Sequence, residues 1–173
     1  MPAGRALSLW LAGLWLGLLL ASWVAATASF RSVDRVLGPA LRPEFDARLT
    51  GVTPGDRRVV LRYLAAEINR WMFKRWALLQ LALSLALLVA AWNNGVAARV
   101  IAALVLAIVV AQTFALGPPI EALGRSIDFI PRPLPPELGR RFGLLHAAFL
   151  GLDFVKAALL LAAGYVLVRR PLP

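Results

Sequence analysis

The chain has 173 residues, of which 60% are apolar and 16% are charged, with a net charge of +10. Soluble globular domains are about 45–50% apolar and about 25% charged, so this composition points away from that class. The chain has no cysteine and one histidine. Disulfides, thiolate metal sites and a histidine cluster within one chain are therefore excluded.

Four long apolar runs dominate the sequence. A helix needs about 20 residues to cross a hydrocarbon core of about 30 Å, and each run reaches or approaches that length. None shows the alternation of a membrane barrel strand. We therefore predict an all-α polytopic membrane protein, a four-transmembrane-helix bundle forming a single membrane domain over 1–173. The predicted spans lie at about residues 6–29, 73–93, 97–117 and 142–168.

The first run has an alternative interpretation as a secretory signal peptide. Arg5, an apolar stretch and Ala26-Thr27-Ala28 follow the order of a signal with its cleavage site. The apolar stretch is, however, longer than the usual 7–15 residues or so. Cleavage would also place the basic segment that follows this run outside the cytoplasm. We expect an uncleaved first helix.

The basic residues are distributed unevenly between the two sides of the predicted bundle. The connections at 30–75 and 118–141 carry ten and four Lys or Arg, and the opposite side carries four. The positive-inside rule then predicts both termini outside the cytoplasm, in the cell (inner) membrane. The same count assigns the basic excess to orientation and to anionic membrane lipid. No nucleic-acid-binding motif is present, so no nucleic acid partner is expected.

The two connections have their own local signals. In the basic cytoplasmic connection at 30–72, apolar residues recur at helical spacing but Pro39 and Pro43 interrupt them, which predicts a broken amphipathic segment. Thr53 and Pro54 then form a helix start. We expect that helix to continue into the second span and to end near Trp92. Gly117-Pro118-Pro119 is expected to end the third span and to begin a Pro-rich connection at 118–141.

Polar residues interrupt the apolar runs at comparable depths. Ionisable groups in a span cost at least about 2.5–3.5 kcal/mol each when isolated, so they should face protein or water. Two interpretations stay open: a site for a small ligand, an ion or a proton, and a structural network that joins helices. The predicted intramembrane cluster comprises His146, Asp153, Lys156, Gln80, Ser84 and Gln112.

Small residues recur every four positions in the first run, at Gly13, Gly17 and Ala21. Such a face allows a second helix to approach closely. It predicts helix packing, either within the bundle, which we favour, or between two copies of the chain.

No cofactor is predicted. Haem is a minor alternative, in which His146 is one axial ligand and Met72, near the same predicted membrane border, is the other. No metal site is expected, because one histidine and two methionines supply few ligands.

At the start of the last span, Phe142-Gly143-Leu144-Leu145-His146 resembles a signature of a bacterial family of small multi-pass proteins. That family carries a domain of unknown function. It is related to the transmembrane protein associated with cisplatin resistance and distantly to the copper-resistance D group. The resemblance implies a four-helix protein of the bacterial inner membrane, and its signature carries over to Phe142, Leu145 and His146. The chain departs from it in the long basic first connection and in Asp153.

Enzyme motifs with recognisable spacing are absent from the sequence, including phosphate-binding loops and nucleophile elbows. We therefore expect a non-catalytic accessory or partner subunit of a larger membrane assembly, with other membrane chains or further copies as partners. One alternative is a small oligomeric transporter, or an ion- or proton-handling protein, that uses the polar cluster. The other is a haem-binding membrane protein.

Overall fold

The structure, a computed structural model, describes residues 3–38, 42–130 and 132–169. In these ranges every regular element is helical, and a π-helical segment at Ala111–Leu116 joins α4 to α5. The helices are α1 (Ala3–Val36), α2 (Pro43–Arg48), α3 (Pro54–Ala91), α4 (Val96–Val110), α5 (Gly117–Ser126) and α6 (Pro136–Arg169). Four continuous helical stretches are long and apolar enough to cross a membrane: α1, α3, α4 through α5, and α6.

The four long stretches form a bundle. Helix α1 packs against α3 and α6, and α4 packs against the same two helices, so α1 and α4 lie diagonally opposite each other. Large apolar side chains fill the centre, with Trp15, Leu19 and Val105 fully buried. Other apolar side chains face outward, such as Val89 at 76% exposure. Apolar surface on every side of the bundle is what a lipid environment requires and water disfavours.

Helix α3 confirms the predicted start at Thr53. The Thr53 hydroxyl accepts a hydrogen bond from the Asp56 backbone N–H at 3.2 Å, and Pro54 lies in the first turn. The helix then continues without a break to Ala91. Its 38 residues correspond to about 57 Å, roughly twice the thickness of a hydrocarbon core. The first part of α3 therefore extends beyond any membrane that the bundle spans.

At Gly117-Pro118-Pro119, where the sequence predicts the end of the third span, the backbone stays helical. The chain stays helical from Val96 to Ser126. The π-helical segment follows α4 directly, and α5 begins at Gly117 where that segment ends. Pro118 and Pro119 thereby occupy the first turn of α5, where backbone N–H groups have no partner in the helix. A Cβ on Gly117 would lie 3.1 Å from the Gln112 carbonyl oxygen, so this close turn favours glycine.

The helix of the basic connection is broken, as predicted. Helix α1 runs on to Val36, and α2 has only six residues. Arg57, at the start of α3, holds the segment after α2: its guanidinium donates to the carbonyls of Leu49 and Val52 at 2.8 and 2.9 Å. Pro39 lies outside the described residues.

We call the end of the bundle formed by the end of α1, the start of α3, α5 and the start of α6 the basic end. At the opposite end, polar side chains join helix termini. The buried Arg5 side chain donates to the Val168 carbonyl oxygen of α6 at 2.8 Å. Asn94 donates to the Ser8 hydroxyl at 3.1 Å. These bonds satisfy carbonyls and hydroxyls that the helix ends would otherwise leave unpaired.

Candidate functional site

An ion pair lies in the middle of the bundle. Asp153 and Lys156 are both on α6, and their residues are 2% and 0% exposed. The Lys156 Nζ atom is 2.7 Å from the Asp153 Oδ1 atom. Three-residue spacing puts both side chains on one face of the helix, so the sequence alone allows this pair.

Side chains from the other three long stretches complete the hydrogen bonding of the pair. Gln80 on α3 accepts a hydrogen bond from the Lys156 ammonium. Gln112 donates to Asp153 Oδ1 at 2.9 Å and also to the Phe149 carbonyl oxygen at 2.8 Å. The Trp23 indole on α1 donates to Asp153 Oδ2 at 3.1 Å. We call this set the central network: Trp23, Gln80, Gln112, Asp153 and Lys156.

The central network neutralises and solvates two buried charges with protein groups. Both carboxylate oxygens of Asp153 accept hydrogen bonds, and the Lys156 ammonium has an anion and an amide oxygen as neighbours. Burying an isolated charge costs several kcal/mol of desolvation free energy. The hydrogen-bond partners offset that cost and allow the ion pair to be buried. Because the network joins α6 to the other three long stretches, it also fixes how the four stretches pack against one another.

Gln112 reaches the network from an unusual backbone. It lies in the π-helical segment, where the Gly117 N–H bonds to the Gln112 carbonyl five residues earlier. Such a segment changes which side chains face the bundle centre, and π-helical turns occur often at functional sites. The Gln112 Oε1 atom is buried and has no hydrogen-bond partner among the described residues. The network therefore keeps one acceptor beyond those that the ion pair uses.

Four of the six residues predicted as a cluster come together: Gln80, Gln112, Asp153 and Lys156. Ser84 is fully buried, but its hydroxyl donates to the Leu81 carbonyl of its own helix at 2.9 Å.

His146 does not join the central network. It is exposed, and its ring stacks on Phe142 with the ring centroids 5.9 Å apart. Its spacing from Asp153 predicts a shared helix face, but a face is buried only where other helices cover it. The fully buried residues of α6 begin at Asp153, so His146 lies before the enclosed part of the helix.

Sequence reasoning missed Trp23, which lies near the end of the first apolar run. An indole N–H inside an apolar run needs an acceptor, and that requirement was the available signal. The Trp23 ring also packs against Phe154 of α6, with centroids 4.9 Å apart. Trp23 therefore joins α1 to α6 both by a hydrogen bond and by aromatic contact.

The small-residue face of α1 does not pack within the bundle, which corrects the interpretation we favoured. Gly13, Gly17 and Ala21 are exposed, and a Cβ at either glycine would meet no atom within 4 Å. Helix α1 instead buries the face that carries Trp15 and Leu19. Packing between two copies stays a prediction.

A second ionic group lies at the basic end, between α3 and the α5 region. Arg70 donates to Glu67 at 2.6 Å and to both carboxylate oxygens of Asp128 at 2.6 and 2.7 Å. Glu121 is 2.9 Å from Lys74 and 3.1 Å from Arg125. We call this set the basic-end cluster: Glu67, Arg70, Lys74, Glu121, Arg125 and Asp128.

The basic-end cluster stabilises the ionised form of its carboxylates. The hydrogen bond from Arg70 holds the pKa of Glu67 below its ordinary value of 4.5. The hydrogen bond from Lys74 does the same for the pKa of Glu121. These carboxylates therefore stay charged at neutral pH and join α3 to α5.

Residues that could ligate a metal are not grouped in the structure. Within 3–38, 42–130 and 132–169, no three His, Asp or Glu side chains lie close enough together to hold an ion. Met72, the other residue of the haem hypothesis, is half-buried on α3, whereas His146 is exposed on α6.

The fold and the site define a coarse class: a helical bundle with four stretches of membrane-spanning length and an ion pair at its centre. No family model, no curated protein and no solved structure matches the chain.

Proposed function

We propose that this chain is an integral membrane protein with a non-catalytic role, an accessory or partner subunit of a larger membrane assembly. The observation that carries the proposal is the closed state of the central network. Asp153 and Lys156 are almost completely buried, and their charged atoms are occupied by side chains from α1, α3 and the π-helical segment. Groups engaged in this way hold helices together and are not free to act on a substrate.

Two grooves on the described surface also favour a non-catalytic role. One lies along α1, with Trp23 at one end, and the other lies near Gly95 and Tyr165 at the opposite end of the bundle. Neither groove is lined by Asp153 or Lys156. A substrate in either groove would therefore not contact the ion pair, although an enzyme site is normally a cleft lined by its reactive groups.

In this proposal the basic end faces the cytoplasm and both termini lie outside it. The support is the excess of basic residues at that end, which the positive-inside rule assigns to the cytoplasmic side. Tags fused to either terminus test the orientation. Both tags should react with a membrane-impermeant reagent on intact cells. Reaction only after permeabilisation would mean that the termini lie in the cytoplasm.

One observation favours a second candidate, an oligomeric ion- or proton-handling protein. Gln112 Oε1 is buried beside the ion pair, has no partner among the described residues and belongs to a π-helical segment. A change of that segment toward regular α-helix would withdraw Gln112 from Asp153. In this candidate, the departure of Gln112 would free the Asp153 carboxylate to take part in ion or proton transfer.

The two candidates are distinguished by one preparation of the full chain in mild detergent. An accessory subunit is expected as a hetero-complex of fixed stoichiometry by native mass spectrometry, with no proton flux after reconstitution into liposomes under an imposed potential. A homo-oligomer whose flux is lost in Asp153→Asn would overturn the accessory role. Leu161→Met, an exposed change on the same helix, is the matched control and should leave composition and flux unchanged.

A further inference from the structure

We propose that the groove along α1 binds the headgroup and upper acyl chain of an anionic phospholipid. The α1 groove is open, has a volume of about 460 Å³ and follows one face of the helix toward the basic end. This proposal requires that the groove faces lipid, but it does not depend on the accessory role. The groove is lined by Trp23, Val24, Thr27, Ala28, Arg31, Ser32 and Arg35.

The groove changes in chemistry along its length. Trp23, Val24 and Ala28 line one part, and Arg31 and Arg35 line the other. Twelve residues separate Trp23 from Arg35, which corresponds to about 18 Å along a helix. That distance covers a headgroup layer of several ångströms and the first part of an acyl chain. The side chains of the groove are apolar near the middle of the bundle and basic near the basic end. This order matches the order of acyl chain and headgroup in a phospholipid.

The charge of the groove favours an anionic headgroup. Arg31 and Arg35 are exposed, one helical turn apart, and neither has a carboxylate within salt-bridge distance among the described residues. The acidic residue between them, Asp34, is bonded to Arg58 of α3 at 2.8 Å. Two guanidinium groups at this spacing can donate to the oxygens of one phosphate. Ser32 also lines the groove.

The apolar part of the groove adjoins the central network through one residue. Trp23 lines the groove and also donates its indole N–H to Asp153. An acyl chain against Trp23 would cover the ring on the side away from the bundle and keep water from the Trp23–Asp153 hydrogen bond. We therefore expect a bound lipid to stabilise the packing of α1 on α6.

Native mass spectrometry of the full chain in detergent tests the proposal with two lipids, phosphatidylglycerol and phosphatidylcholine. Each basic residue near a membrane surface strengthens the attraction of an anionic lipid, so two of them should favour phosphatidylglycerol by roughly tenfold or more. Phosphatidylglycerol should also raise the melting temperature of the chain, and phosphatidylcholine should not. Equal retention of the two lipids would overturn the proposal.

Two double variants separate the groove from the general charge of the basic end. Arg31→Gln with Arg35→Gln should lose most of the preference for phosphatidylglycerol. Arg42→Gln with Arg48→Gln removes the same charge from exposed residues outside the groove and should retain the preference. All four side chains are exposed, so both variants should fold, with melting temperatures close to the unmodified chain in the absence of lipid.

Two outcomes would contradict the site. An equal loss in both double variants would mean that anionic lipid binds only through diffuse charge. Binding of a polyglutamate peptide that depends on Arg31 and Arg35 and excludes phosphatidylglycerol would instead assign the groove to an acidic protein segment.

Discussion

The central network and the basic-end cluster use the same chemistry in different surroundings. In the centre, the side chains of Lys156 and Asp153 are 0% and 3% exposed. At the basic end, those of Arg125 and Glu121 are 47% and 28% exposed. Water and salt screen the second pair but cannot reach the first. In this chain, the depth of an ion pair therefore affects stability more than the number of ion pairs does.

Within the basic-end cluster, one pair is intermediate between these extremes. The side chains of Arg70 and Asp128 are 11% and 9% exposed, and one guanidinium nitrogen of Arg70, Nη2, donates to both carboxylate oxygens. A graded series of burial therefore exists in one molecule, which allows the effect of depth to be measured directly. Four changes test this dependence on burial, in order of decreasing loss of stability.

Lys156→Met should have the largest effect. It leaves the Asp153 carboxylate buried without its cation, which costs about 3–5 kcal/mol of unfolding free energy in comparable buried pairs. Denaturant unfolding of the chain in detergent measures the loss, with the exposed Leu161→Met as control. In the double variant Asp153→Leu with Lys156→Met, the loss should be smaller than the sum of the two single losses. Additive losses would mean that the two side chains are not energetically coupled.

Arg70→Gln should have the next largest effect, about 1.5–3 kcal/mol, because hydrogen bonds to a half-buried carboxylate are lost. Arg75→Gln is the matched control. Arg75 is exposed and only lies over the Trp71 ring at 5.7 Å, so its loss should cost at most about 1 kcal/mol. Equal losses in the two variants would show that Asp128 does not hold α5 through Arg70.

Acidification should weaken the basic-end cluster next. The folded-state pKa values of Glu67 and Glu121 lie below the ordinary 4.5, because Arg70 and Lys74 donate hydrogen bonds to them. Their contribution is fully present above pH 4.5 and is lost as the pH falls through the folded-state values. This cluster should therefore leave the melting temperature nearly constant between about pH 7 and pH 5. At lower pH the melting temperature should fall.

The variant with both Glu67→Gln and Glu121→Gln checks this origin of the acid sensitivity. Its melting temperature should fall less steeply at acid pH than that of the unmodified chain. An unchanged slope would assign the acid sensitivity to other carboxylates.

Arg140→Gln should have the smallest effect. Arg140 lies 3.6 Å from Glu137, and the two side chains are 72% and 80% exposed. Such exposed pairs contribute little, so the unfolding free energy should change by less than about 0.5 kcal/mol. A larger loss would mean that the start of α6 is held by contacts that the exposed pair controls.

The sequence predicted the features that depend on local composition. The apolar runs predicted four helices of spanning length, and Thr53 with Pro54 predicted the start of α3. The three-residue spacing of Asp153 and Lys156 allowed an ion pair on one helix. Each of these rests on the hydropathy, capping or periodicity of a single segment, which the sequence contains in full.

The errors fell where several segments meet. His146 shares a helix face with Asp153, but α6 is enclosed only from Asp153 onward. Gly13 and Gly17 suit close packing, yet among the described residues no atom lies within 4 Å of a Cβ placed at either glycine. The sequence did not predict that Trp23 belongs to the central network, because its hydrogen-bond acceptor, Asp153, lies 130 residues away in the sequence.

Local signals in the sequence established that the chain forms long apolar helices, where α3 begins, and that Asp153 and Lys156 are spaced to allow an ion pair on one helix. Only the tertiary structure decided which side chains neutralise that pair, because burial and hydrogen bonding depend on which helices are neighbours. The π-helical segment illustrates this difference. Gly117-Pro118-Pro119 reads locally as the end of a helix, but the chain continues, and that segment carries Gln112 into contact with Asp153.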